Sequence, residues 1–210
     1  MTERDGEDTR PAAGEASTRD REAEGRPAAD EQIAGEPLAV ADPRARMSDM
    51  VGPGELGAAR RLRAEIQRVV GRSLHIRHLD AGSCNGCDWE IAALLNPYHD
   101  IQRLGIDVVA SPRHADLLLV TGTMTRNLEL AALRTYEAMP EPRLVVAVGA
   151  CAISGGVFAG SYAGRDGIGE VLPVDVFVPG CPPRPEALIH GLFVAVGRME
   201  PYRPQGPGSV

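Results

Sequence analysis

The residues in this chain best suited to chemistry are its four cysteines, Cys84, Cys87, Cys151 and Cys181. The first two stand in "AGSCNGCDWEI", separated by two residues, and the others in "GACAISGG" and "PGCPP". A C-x-x-C pair is an ambiguous beginning, because thiol redox switches, zinc sites and iron–sulfur sites all use it. The thiolate is the reactive or ligating form in each case. A thioredoxin-like reading of the pair leaves Cys151 and Cys181 without a role. The chain opens with no apolar signal segment. Cysteines in that setting point to a reducing compartment and to metal or redox chemistry ahead of structural disulfides.

The segments around the cysteines alternate between apolar runs and helical patterns. "SLHIRHLD", "GIDVVA", "ADLLLVTG", "PRLVVAVGA" and "PVDVFVPG" read as five strands. "EIAALLNP", "NLELAALRTYEAM" and "RPEALIHGLFVAVGRME" read as helices, with Pro185 in the first turn of the last, where a missing N–H costs nothing. Short strands that are apolar on both faces, separated by helices, predict a parallel sheet covered on each side. The expected fold is α/β, a flavodoxin-like doubly wound and mainly parallel sheet. Each cysteine segment then leaves the carboxyl end of a strand, and in an open parallel sheet those exits share one edge, where ligands bind. Topology can thus gather four thiolates from three loops, making the C-x-x-C half of a larger site.

Four cysteines suit either a zinc ion or a [4Fe–4S] cluster. Zinc sites usually draw on two close pairs, whereas one pair here is joined by two single cysteines. The cysteine–proline step in "CPP" recurs in ferredoxin-type ligation. The glycines of "GACAISGG" and "PGCPP" let backbone approach a bulky inorganic group. The pattern therefore leans toward iron–sulfur, with a zinc-stabilised structural or docking domain as the alternative.

Composition sets the limits of the folded region. Residues 1–50 mix Asp, Glu and Arg with Pro, Gly and Ala, and read as a disordered charged tail. Residues 51–72 carry Leu56, Leu62, Ile66 and Val69 at helical spacing with Arg60, Arg61, Arg63 and Arg68 between them. They read as an amphipathic helix, more readily packed on the domain or a partner than laid on a membrane. Residues 73–200 form the predicted domain, and residues 201–210 a frayed end. No apolar run reaches the ~20 residues of a membrane-spanning helix. A net charge of −7 gives no reason to expect nucleic acid.

In combination, "CNGCDWE", "GACAISGG" and "PGCPPRPE" resemble the small subunit of membrane-associated, energy-converting (group 4) [NiFe] hydrogenases. They also resemble the homologous B subunit of NADH-quinone oxidoreductase, the complex I 20 kDa subunit family. The resemblance spans about residues 74–198. It implies one [4Fe–4S] cluster on Cys84, Cys87, Cys151 and Cys181, in an electron-transfer subunit that is not catalytic alone. It further implies a hydrogenase-like or complex I-like large subunit, a ferredoxin-like Fe–S subunit and membrane subunits as partners. A cytoplasmic location, peripheral on the membrane through the complex, goes with it. Complex I subunits carry two adjacent cysteines at the first motif. Here Gly86 precedes Cys87 and the second thiol is Cys84, which favours the hydrogenase-like branch.

Other residues carry weaker signals. The resemblance suggests that Glu90 passes protons or holds the large subunit, although a carboxylate near a helix start also answers the helix dipole. Asp88 reads as a helix-starting residue. Trp89 suits an interface or ordinary packing, and Arg184 either a positive charge near a cluster or a solvated residue. Gly122 and Thr123 leave a strand at the ligand edge. "SYAGRDGIGE" lacks a phosphate-binding lysine. His75, His78, His99, His114 and His190 form no metal-ligand pattern and stay outside the expected site.

Overall fold

A computed structural model describes residues 39–41 and 55–199. The chain divides into two units, residues 1–34 and 35–210, and all described residues belong to the second. The frayed end expected at 201–210, and nearly all of the tail expected at 1–50, lie outside them.

Among the described residues, six strands form one parallel sheet: β1 (Ala39–Val40), β2 (Leu74–Asp80), β3 (Ile106–Val108), β4 (Leu117–Thr121), β5 (Leu144–Val148) and β6 (Val176–Val178), in the order β1-β6-β5-β4-β2-β3. Without the edge strand β1, this is the flavodoxin order, whose switch point lies between β2 and β4. Helices α1 (Glu55–Val70), α2 (Gly86–Ala93), α3 (Glu129–Glu137), α4 (Gly149–Ser154) and α5 (Pro185–Arg198) connect the strands. The apolar runs did predict doubly covered strands, since every residue of β4 and β5 is buried. One core layer joins Leu62 and Ile66 of α1, Ile91 of α2 and Leu188 and Leu192 of α5 to one sheet face. The other joins Ala132 of α3 and Ala152 of α4 to the opposite face. The stripe of α1 is thus spent on the core, with Leu62, Ile66 and Val69 all buried.

Three elements differ from the sequence reading. Ala39–Val40, inside the stretch assigned to the tail, pair in parallel with β6, and Ala41 behind them is fully buried. Two residues carry no periodicity, so only the open edge of β6 reveals them. Helix α2 starts at Gly86, four residues before the expected start at Glu90, so Cys87 lies in its first turn. Cys151 lies in a helix too, because α4 follows β5 without a break. Two of the four cysteines therefore sit on helix first turns rather than in loops.

Candidate metal centre

Each cysteine segment leaves the carboxyl end of its strand, and the three segments meet. Cys84 and Cys87 follow β2, Cys151 follows β5 and Cys181 follows β6. Ala150 N donates to Gly180 O at 2.8 Å, fastening the Cys151 helix to the Cys181 loop. Ala81 N donates to Thr121 O and Thr125 N to Ala81 O, both at 2.8 Å, so the segment that leads into Cys84 is tied to the end of β4. All four thiols are free. Cys84 and Cys181 are exposed, Cys87 is half-buried and Cys151 is buried.

The sulfurs feel one another electrically. Burial pushes the Cys87 thiol up to about 12, and the Asp88 carboxylate and the charges of Cys151, Cys84 and Cys181 push the same way. Burial likewise raises Cys151, with Cys181 and Cys84 adding to it. Ionising all four together without a counter-charge is costly, and a multivalent cation beside them reverses that cost. Among the described residues, no three His, Cys, Asp or Glu side chains converge on a single-ion position.

Bare backbone stands beside three of the sulfurs. A methyl group on Gly149 would lie 2.6 Å from Cys87 Sγ, one on Gly156 3.1 Å from Cys151 Sγ, and one on Gly86 3.5 Å from Cys84 Sγ. Gly149 also has φ +86°, a conformation that L side chains rarely adopt. Four soft thiolates from three segments, with glycine where a side chain would press on Cys87 Sγ and Cys151 Sγ, are a donor set that fits a zinc ion or an iron–sulfur group.

The remaining expected residues divide. Gly122 packs against the segment that leads into Cys84, since a Cβ there would lie 2.6 Å from the Gly82 carbonyl carbon and 2.7 Å from Ser83 N. Thr123 instead donates from Oγ1 to Arg165 O at 2.9 Å, holding the "SYAGRDGIGE" loop. That loop is also pinned by a two-pronged ion pair between Arg165 and the buried Glu129, at 2.7 and 3.2 Å. Glu90 is half-exposed on α2, one turn past Cys87. Trp89 beside it is 76% exposed, and Val157 and Phe158, just past α4, are exposed as well. Arg184 is exposed at the start of α5.

Sequence reasoning missed a polar network behind the C-x-x-C. Asp88 caps no backbone N–H of its own helix. Its carboxylate accepts from Ser83 Oγ and, at 2.9 Å, from Thr121 Oγ1. His78 Nε2 lies 2.9 Å from Asp88 Oδ1 and 3.1 Å from Thr121 Oγ1. Burial pulls the His78 imidazole below its usual value, against the opposing pull of Asp88 and Asp80. The alternation of β2 was the available signal, because it places His78 on the same face as Ile76, toward α2.

Comparison with known proteins shows the family. Residues 84–195 match the model of the family described as NADH ubiquinone oxidoreductase, 20 Kd subunit, a span that runs from the first motif cysteine past the last. The chain belongs to this family. Its relatives are subunits of hydrogenase and NADH-quinone oxidoreductase complexes, so it is an oxidoreductase-type subunit. The probable membrane-bound hydrogenase subunit mbhJ of Pyrococcus furiosus is 49% identical over 137 residues, covering 65% of this chain and 81% of that protein. Formate hydrogenlyase subunit 7 of Escherichia coli is 43% identical over 150 residues, covering 71% of this chain and 59% of that protein. The B subunit of NADH-quinone oxidoreductase from Carboxydothermus hydrogenoformans is 42% identical over 147 residues, covering 62% of this chain and 87% of that protein. Among solved structures, a chain of the membrane-bound sulfane sulfur reductase, an archaeal respiratory membrane complex, superposes with a TM-score of 0.54 at 33% identity, covering 66% of this chain and 77% of that one. No described helix is long and apolar enough to cross a membrane.

Proposed function

We propose that this family member is the electron-relay subunit of a hydrogenase-like complex, holding one [4Fe–4S] cluster on Cys84, Cys87, Cys151 and Cys181. The observation that carries this reading is the meeting of four mutually interacting thiols at one sheet edge, three of them beside bare glycine backbone. Such a cluster supplies one-electron transfer, over potentials that range from about −700 to +450 mV among proteins. The chain's own part is to hold and tune. Cys87 and Cys151 anchor the group from within the fold and limit water on that side, while the exposed Cys84 and Cys181 leave the other side open to a partner.

A relay by single electrons requires a donor and an acceptor. The large subunit of a hydrogenase-like complex is one, and a ferredoxin-like Fe–S subunit the other. Trp89, Val157 and Phe158 offer apolar surface for such docking, and Glu90 stands within reach of the same partner for an ion pair or a proton. The C-x-x-C spacing, with Gly86 before Cys87, supports the hydrogenase-like branch over the quinone-reducing one. Attachment to the membrane comes through the other subunits, on the cytoplasmic face.

The test is anaerobic purification of the native complex, followed by metal and sulfide analysis and EPR after dithionite reduction. Cys151→Ser or Cys181→Ser should lower the iron and the sulfide of the complex by equal amounts and remove one paramagnetic signal, this chain's contribution. Stoichiometric zinc with no signal from this chain would replace the relay with a structural metal domain.

A further inference from the structure

The C-x-x-C segment is held by more than its backbone. Asp80 Oδ1 accepts from Gly82 N at 2.9 Å and Ser83 N at 2.7 Å, turning the chain at the end of β2. Ser83 Oγ then accepts from Asn85 N at 3.0 Å while donating to Asp88. Beyond this local knot, Asp88 is bound by two side chains from the sheet. Thr121, the last residue of β4, is fully buried and spends its single hydroxyl proton on Asp88. Its oxygen is then an acceptor only, so Nε2 of His78 must carry a proton to satisfy both Thr121 and Asp88. Three donors thus converge on one carboxylate, and two of them come from β2 and β4, the strands that flank the switch point.

We propose that His78 and Thr121 are positioning residues: by clamping and masking the Asp88 carboxylate, they fix the Cys84–Cys87 segment and keep the potential of the group its thiolates hold from falling. This rests on the cluster reading above. Asp88 directly follows a ligand, and its charge acts on the Cys87 sulfur. An uncompensated anion there disfavours an added electron, whereas hydrogen bonds to the carboxylate draw its charge away. The three groups touch one another, so their effects on the potential should be non-additive.

The experiment is an EPR-monitored redox titration at fixed pH of the intact complex carrying His78→Ala, Thr121→Val, Asp88→Asn and each pair with Asp88→Asn. His78→Ala and Thr121→Val should shift the midpoint to lower potential, Asp88→Asn to higher, and His78→Gln, which retains a donor, should recover part of the loss. In the Asp88→Asn background, the His78→Ala shift should vanish. A His78→Ala shift of equal size in both backgrounds, or no shift in either, overturns the proposal. Backbone hydrogen exchange of residues 83–88 in the metal-free full chain provides a readout that needs no cluster. Faster exchange in Thr121→Val and His78→Ala is expected even if the metal proves to be zinc, and unchanged exchange refutes the clamp. Failure of the cluster reading would appear separately, as a complex whose iron–sulfur signals are unchanged by Cys151→Ser.

Discussion

Replacing Gly149 by alanine tests the closest approach of a glycine to a sulfur among the described residues. The added methyl would stand 2.6 Å from Cys87 Sγ, where unstrained carbon contacts lie at about 3.5–4.0 Å, so about 1 Å of overlap must be relieved. A second cost comes from the backbone, because Gly149 has φ +86°. Left-handed geometry costs an L residue about 1–2 kcal/mol, and overpacking a filled site typically costs about 1–3 kcal/mol. Together the loss is about 2–5 kcal/mol, which at 1.4 kcal/mol per tenfold is about 30-fold to several thousand-fold in the folded-to-unfolded ratio. Gly160→Ala separates the two contributions, because Gly160 has φ +74° with nothing within 4 Å of its built Cβ. That control should lose only the backbone part, about 1–2 kcal/mol. Urea unfolding of the full chain under anaerobic conditions measures both, and iron retention reports whether Cys87 has been displaced. Equal losses in the two variants, with iron retained in Gly149→Ala, would refute the close approach and with it the argument from bare glycine backbone.

Two further outcomes follow from the titrating groups. In metal-free chain at pH 8, raising Cys87 from its usual 9.0 to about 12 cuts its thiolate fraction about a thousandfold. The greater nucleophilicity of a more basic thiolate gives back about 20-fold, so iodoacetamide should label Cys87 about 50-fold more slowly in the folded chain than in the urea-unfolded chain, as read by peptide mass spectrometry. Equal labelling rates would mean that Cys87 is not buried as described. Burial also raises Asp175 above its usual 3.8, against the hydrogen bond it accepts from Val145 N at 2.8 Å and the charge of Arg198. The folded state then holds this proton more tightly than the unfolded one, so its contribution to stability is complete below 3.8 and lost as pH rises through the higher folded value. Asp175→Asn should keep an acceptor for Val145 N and flatten that slope in urea midpoints measured from about pH 4 upward; an unchanged slope would disprove the assignment.

Much of the architecture was legible because its causes are local. "LLLVT" and "LVVAV" are apolar at nearly every position, and only a strand covered on both faces uses such runs efficiently. Pro185 marked its helix start for the same reason, since a first-turn position has no N–H bond to lose. The cysteines were identifiable from their glycine and proline neighbours, and parallel topology supplied the shared edge.

Illegible were the features whose causes lie elsewhere in the chain. Ala39–Val40 become a strand only because β6 has a free edge. Helix α4 runs on directly from β5, and its six residues are too few for a period to emerge. Asp88 looked like a helix-starting carboxylate. Its actual partner Thr121 is 33 residues away and meets it only where β4 ends beneath α2. The residue types and their spacing determined by themselves that four thiols share one end of a parallel sheet. Which backbone presses on which sulfur, and which side chains restrain the segment between them, was decided by tertiary packing, because close contacts and buried hydrogen bonds depend on ångström-scale distances that no one-dimensional pattern encodes.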